Sequence, residues 1–149
     1  MFVIRPWLLL GKYQETLNLP LLQAHTIGAM LQFAEQVDYP GMATLYLPVE
    51  DGTPITKEVF QKGIEFILSH KAEGNKVLVS CGAGISRSVT FIIAALKETE
   101  NITLPEAYQV VLKVQPKALP HPVVWQSLGD FYGETLPYWH LLKLYNKNS

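Results

Sequence analysis

The sequence predicts an α/β fold, with a central, mostly parallel sheet flanked by helices. Three observations carry this. Short apolar runs rich in Leu, Val and Ile alternate along the chain with longer stretches whose apolar residues recur at helical spacing. One strand-like run, Lys76-Val77-Leu78-Val79-Ser80, passes through a small-residue loop directly into a helix-like run, Ser88 to Leu96. The 149 residues are 48% hydrophobic, enough for one real core, so residues 1–149 read as a single domain.

The elements follow in order. Phe2 to Ile4 and Trp7 to Leu10 read as short strands. Leu19 to His25 is a short helix, and Ile27 to Leu31 is a buried strand. Ala43 to Leu47 is another strand. Thr56 caps a helix running to about His70, with Phe60, Ile64, Ile67 and Leu68 on one face. Lys76 to Ser80 is the central strand, and Ser88 to Thr99 the helix after the loop. Thr103-Leu104-Pro105-Glu106 is a capping box with proline in the first turn; it starts a helix that Pro116 ends. Val123 to Tyr132 is a further helix, and Pro137 to Asn146 is read as the last. The loop after the central strand then lies at the carboxyl end of the sheet, where open α/β folds usually bind ligands.

That loop is the most informative stretch. Cys81-Gly82-Ala83-Gly84-Ile85-Ser86-Arg87, followed by Ser88, holds the only cysteine and one of only two arginines. Its glycines let backbone N–H groups converge into an anion-binding nest. The first turn of the helix adds unpaired N–H donors and the positive end of its dipole. Arg87 adds a planar fork suited to phosphate oxygens. The same field favours a thiolate at Cys81. A sulfur nucleophile beside a phosphate cradle (Gly82, Ala83, Gly84, Ile85, Ser86 and Arg87) implies covalent phosphoryl transfer through a cysteinyl-phosphate. The plain alternative is a buried structural cysteine in a strand-to-helix turn. A dinucleotide fingerprint would need glycine at position 87, a hydrolase elbow would need glycine at 88, and no Walker loop is present.

Cys-x5-Arg-Ser resembles the signature of the cysteine-dependent protein tyrosine phosphatases. The fuller string, Val77-Leu78-Val79-Ser80-Cys81 through Ala83-Gly84-Ile85-Ser86-Arg87-Ser88, resembles the dual-specificity branch. The likeness extends to Pro6-Trp7-Leu8-Leu9-Leu10-Gly11, to Leu45-Tyr46-Leu47-Pro48-Val49-Glu50-Asp51, and to Leu112-Lys113-Val114-Gln115-Pro116 with Pro120-His121-Pro122. The resemblance implies a phosphatase acting on phosphotyrosine and on phosphoserine or phosphothreonine, with a shallow site. Its substrate is then a phosphorylated protein or a small phosphate ester. Asp51, thirty residues before Cys81, matches the position of the general acid, which expels an alkoxide or phenoxide. Glu50 is held in reserve, and Asp51-Gly52 on its own reads as a turn. Ser88 has two compatible roles: capping the helix, and, as the resemblance implies, hydrogen-bonding the sulfur. Ser86 is expected to order the loop.

One departure bears on activity. The family usually has histidine where Ser80 stands. That keeps a weakly active or inactive phosphate-binding pseudophosphatase as the first rival; a rhodanese-like sulfurtransferase is the second. The loop interior, Gly82 to Ser86, has no lysine, unlike lipid phosphatases of the superfamily, and Arg5 is the only other arginine.

Composition sets further expectations. The net charge of −1 implies no nucleic-acid partner. A lone cysteine suits a reducing, cytoplasmic setting. No run approaches the ~18–20 apolar residues of a membrane span, so no membrane is expected. His25, His70, His121 and His140 lack metal-ligand spacing, and neither metal nor cofactor is called for; His121 is read as orienting the last helix of the domain. Trp125, Phe131 and Tyr132 are read as core. Residues from about 134 to 149 form an apolar extension (Tyr138, Trp139, Leu141, Leu142, Leu144, Tyr145) that either packs on the domain or offers an oligomer surface.

Overall fold

Residues 1–148 are described by the computed structural model of the chain. The first half of the chain supplies β1 (Phe2–Arg5), β2 (Leu8–Lys12), the short α1 (Tyr13–Thr16) and α2 (Leu19–Ala24), then β3 (Ile27–Gln32), β4 (Ala43–Tyr46) and α3 (Lys57–Ala72). The second half supplies β5 (Lys76–Cys81), α4 (Arg87–Glu100), α5 (Leu104–Val114), α6 (Pro122–Tyr132) and α7 (Tyr138–Asn148). The strands form one five-stranded sheet in the order β1-β2-β5-β3-β4. β1 pairs antiparallel with β2; all other pairings are parallel. The expected α/β architecture is therefore the one observed.

The sheet is covered on both faces, which is why its strands read as continuous apolar runs. Leu8 and Leu10 of β2, Ala29 and Leu31 of β3, and Val77 and Val79 of β5 enter the larger core under α3 to α7. Leu9, Met30 and Leu78 point the other way, onto Leu22 of α2. The period-2 alternation of strand side chains makes this division.

Helix ends obey their capping chemistry. Thr56 Oγ1 accepts from Val59 N–H at 3.3 Å. Thr103 and Glu106 exchange both bonds of a capping box, at 3.0 and 3.1 Å. Gly63 lets α3 approach α4 closely: a Cβ there would lie 2.4 Å from Phe91 Cε1. Arg5 Nε and Nη2 donate to both carboxylate oxygens of Glu100, tying β1 to the end of α4.

Three details differ from the sequence reading. α1 was not expected: it continues directly from β2, held by Lys12 N–H donating to Glu15 Oε1 at 3.0 Å, and four residues are too few to show a period. α4 begins at Arg87, and its N-cap is Ser86 rather than Ser88. The tail packs in part on the domain. Leu141 is buried, and Asn148 Nδ2 donates to Leu112 O at 3.2 Å. Trp139 remains 67% exposed. Trp125 is buried as expected, whereas Phe131 and Tyr132 are only half-buried. Among the described residues no helix is long and apolar enough to cross a membrane.

Candidate active site

Cys81 is the last residue of β5, the middle strand of the sheet, and only 2% of it is exposed. Its register partner on β2 is Lys12. The preceding Ser80 lies between Gly11 of β2 and Gln32 of β3 and is buried. From Cys81 the chain turns through residues 82–86 into α4, so the sulfur sits where the N-terminus of that helix presents its unpaired N–H groups.

The loop is braced from three sides. Gly84 has φ +67°, and a Cβ there would lie 2.9 Å from the Gly11 carbonyl oxygen, so only glycine fits against the end of β2. Leu119 N–H donates to Ile85 O at 2.9 Å. Thr90 Oγ1 donates to Ser86 O at 2.8 Å. Gly82 and Ala83 form the exposed rim, while Ser86 is buried.

Ser88 is fully buried, and its Oγ lies 3.0 Å from Cys81 Sγ. Of the two roles read from sequence, the contact to sulfur is the one present; the capping role is excluded because Ser88 lies one turn position inside the helix. Arg87 donates from Nη1 to Val49 O at 2.6 Å, which fixes the guanidinium under the loop that follows β4. Its Nε is buried and has no hydrogen-bond partner among the described residues. A buried, unsatisfied charged donor carries a large desolvation cost, which an anion in the cleft would remove.

Asp51 lies in the loop between β4 and α3. That loop is anchored where Leu47 N–H donates to Gln32 O at 2.9 Å and where Ile55 N–H donates to Ser127 Oγ at 3.0 Å. Ser86 Oγ donates to Asp51 Oδ1 at 2.8 Å and accepts from His121 N–H at 2.9 Å. One hydroxyl thus joins the sulfur loop, the carboxylate loop and the start of α6. The expected loop-ordering role of Ser86 is present, with Asp51 as its partner. Glu50 is exposed and is not among the residues lining the cleft. His121 caps α6, its Nδ1 accepting from Val123 N–H at 3.2 Å, in line with the orienting role read from sequence.

The cleft that joins these groups has a volume of about 390 Å³. Cys81, Asp51, Ser86 and Arg87 give it polar chemistry; Ala83, Ile85, Leu119, Pro122 and Tyr138 supply its less polar walls. Tyr138 Oη donates to Pro120 O at 2.6 Å. Burial, and then the charge of Asp51, push the Tyr138 phenol above its usual range, so it stays neutral. Three contributions were not legible in the sequence: the Val49 carbonyl that holds Arg87, the link from Ser86 to Asp51, and Tyr138. Each joins residues at least 35 positions apart or beyond the motif, with no local pattern to mark it.

Comparison with known proteins agrees with this geometry. The family profile described as "Dual specificity phosphatase, catalytic domain" matches residues 8–134. Dual specificity protein phosphatase 19 of Mus musculus is 31% identical over 137 residues, covering 87% of this chain and 60% of that protein. Dual specificity protein phosphatase 5 of Rattus norvegicus is 32% identical over 138 residues, covering 90% of this chain and 36% of that protein. The chain therefore spans less than two thirds of each of these relatives. Among solved structures, the human tyrosine phosphatase-like serine/threonine/tyrosine-interacting protein superposes with a TM-score of 0.82 at 28% identity, covering 89% of this chain and 95% of that one. The crystal structure of DUSP15 gives a TM-score of 0.80 at 26% identity, covering 97% and 92%.

Proposed function

Because the chain belongs to the dual specificity phosphatase family, we propose that it hydrolyses phosphate monoesters of proteins through a cysteinyl-phosphate. The observation that carries this is the pairing of Cys81 Sγ with Ser88 Oγ beside an Arg87 whose buried Nε lacks a partner among the described residues. The phosphoryl oxygens bind the loop N–H groups of residues 82–87 and the free edge of the Arg87 guanidinium. The Cys81 thiolate attacks phosphorus, the S–P bond forms, and the bond to the leaving oxygen breaks. Asp51 delivers its proton to that oxygen. Ser86 occupies Oδ1, which leaves Oδ2 to carry the acidic proton. In the second step a water attacks phosphorus, gives its proton to the Asp51 carboxylate, and expels sulfur as thiolate. Ser88 donates its hydroxyl proton as a hydrogen bond to that thiolate and steadies it as it leaves.

The substrate class is phosphorylated protein, with both phosphotyrosine and phosphoserine or phosphothreonine within reach, and the site works in the reducing cytoplasm, where its lone cysteine stays reduced. Residues 1–149 act as one catalytic unit with an extension from about 134. Trp139 and Leu142, exposed on α7, are the part of that extension left for self-association. The deciding experiment is turnover of p-nitrophenyl phosphate by the wild type and by Cys81→Ser. The wild type should turn over; the variant should not, yet should still bind vanadate, because the cradle is intact. Turnover by Cys81→Ser, or none by the wild type, ends this reading.

A further inference from the structure

We infer that Tyr138 sets the substrate preference of the cleft. It supplies one wall of a slot for an aryl leaving group, so esters of the phosphotyrosine type are favoured over those of phosphoserine or phosphothreonine. The inference rests on the phosphatase reading above. Tyr138 lies beyond the stretch that the family profile matches, which ends at residue 134. It is the first residue of α7, yet it lines the same cleft as Cys81, Asp51 and Arg87. The extension therefore completes the site.

Tyr138 is held firmly enough to act as a wall. Its hydroxyl is committed to Pro120 O, in the segment that also places His121 and Pro122. The helix behind it is seated by Leu141, which is 1% exposed. With the hydroxyl bonded and the phenol neutral, the group that Tyr138 offers a substrate is its ring. The remaining walls fit the same occupant. Ile85, Leu119 and Pro122 are apolar, and His121 between them has its Nδ1 taken by Val123 N–H, whereas Cys81 and Arg87 are the groups suited to phosphate. A phosphate held by the loop leaves its ester oxygen beside Asp51 and directs the leaving group toward these walls. A phenyl ring attached to that oxygen buries apolar surface against them and meets an aromatic neighbour. A seryl or threonyl ester brings peptide backbone to the same place, and its N–H and C=O groups find no partner on an apolar wall.

The test uses one peptide sequence carrying either phosphotyrosine or phosphothreonine, with kcat and KM measured for the wild type, Tyr138→Ala and Tyr138→Leu. Leucine keeps apolar bulk for the seating of α7 and removes the ring. The wild type should favour the phosphotyrosine peptide. In both variants the ratio of kcat/KM values, phosphotyrosine over phosphothreonine, should fall about threefold to tenfold, mainly through KM. Vanadate binding reports whether the floor of the cleft is intact. An unchanged ratio in a variant that binds vanadate overturns the inference and leaves the phosphatase reading standing. A wild type that favours phosphothreonine also overturns it. Loss of vanadate binding in both variants would make Tyr138 a structural strut instead of a specificity residue. A wild type that hydrolyses neither peptide fails the phosphatase reading itself, and this inference with it.

Discussion

Asp51 shows how much one side chain depends on another far away in sequence. Its carboxylate is exposed, and a free carboxylate on a Pro- and Gly-containing loop has many rotamers. The Ser86 hydroxyl removes that freedom, and the His121 N–H in turn fixes the hydroxyl. Asp51→Asn should lower kcat by about 10²–10⁴, with a smaller loss for substrates whose leaving groups need no proton. Ser86→Ala should show the same dependence on leaving group at a lesser amplitude, while vanadate binding persists. Initial rates on a series of aryl phosphates check both. A Ser86→Ala loss that is equal across the series would assign Ser86 to the phosphate cradle instead of to the acid.

At the level of elements, the crossing of α3 over α4 depends on Gly63. Phe91 has no room to retreat, because its ring lies 4.5 Å from Phe33 and 5.0 Å from Phe60, centroid to centroid. Gly63→Ala gains about 1 kcal/mol in helix propensity, but overpacking costs about 1–3 kcal/mol. The melting temperature should therefore fall; a rise would mean that the aromatic cluster yields. The tie between β1 and α4 has a pH signature. Hydrogen bonds from Arg5 hold the Glu100 carboxyl below its ordinary 4.5. The stabilisation is thus complete above that value and is lost as the pH falls through the lowered one. Both side chains are about a third exposed, so the pair contributes only about 0.3–1 kcal/mol. Glu100→Gln should be slightly less stable than the wild type at neutral pH, and denaturant midpoints should converge in acid. A gap that persists at low pH would assign the difference to packing.

At the scale of the whole chain, the 149 residues hold one cysteine, so oxidation finds no second thiol among them. A thiolate taken to sulfenic acid has no disulfide partner in these residues, and recovery needs a thiol from outside them or a backbone sulfenamide. Peroxide should inactivate the protein, bound phosphate should slow the loss, and added small thiol should restore activity. Activity that resists peroxide would argue against a thiolate at Cys81.

The sequence alone determined the α/β class, the order of the elements apart from the short α1, and the strand–loop–helix step, because these follow from local causes. Apolar runs, helical periods, the caps at Thr56 and Thr103, and a loop of small residues between Cys81 and Arg87 are all readable within a dozen positions. Cys81, Arg87 and the loop proposed to hold phosphate could be named for the same reason. Asp51 needed a resemblance as well, since Asp51-Gly52 is also an ordinary turn. Only the tertiary structure decided which oxygen accepts which proton. The first turn of α4 sets Ser88 against sulfur, and the loop after β4 brings Val49 over Arg87. Ser86 meets Asp51 and His121 across 35 positions in either direction, and α7 folds back to bring Tyr138 to the cleft. Such contacts are set by how whole layers pack, and packing leaves no period in the chain to read.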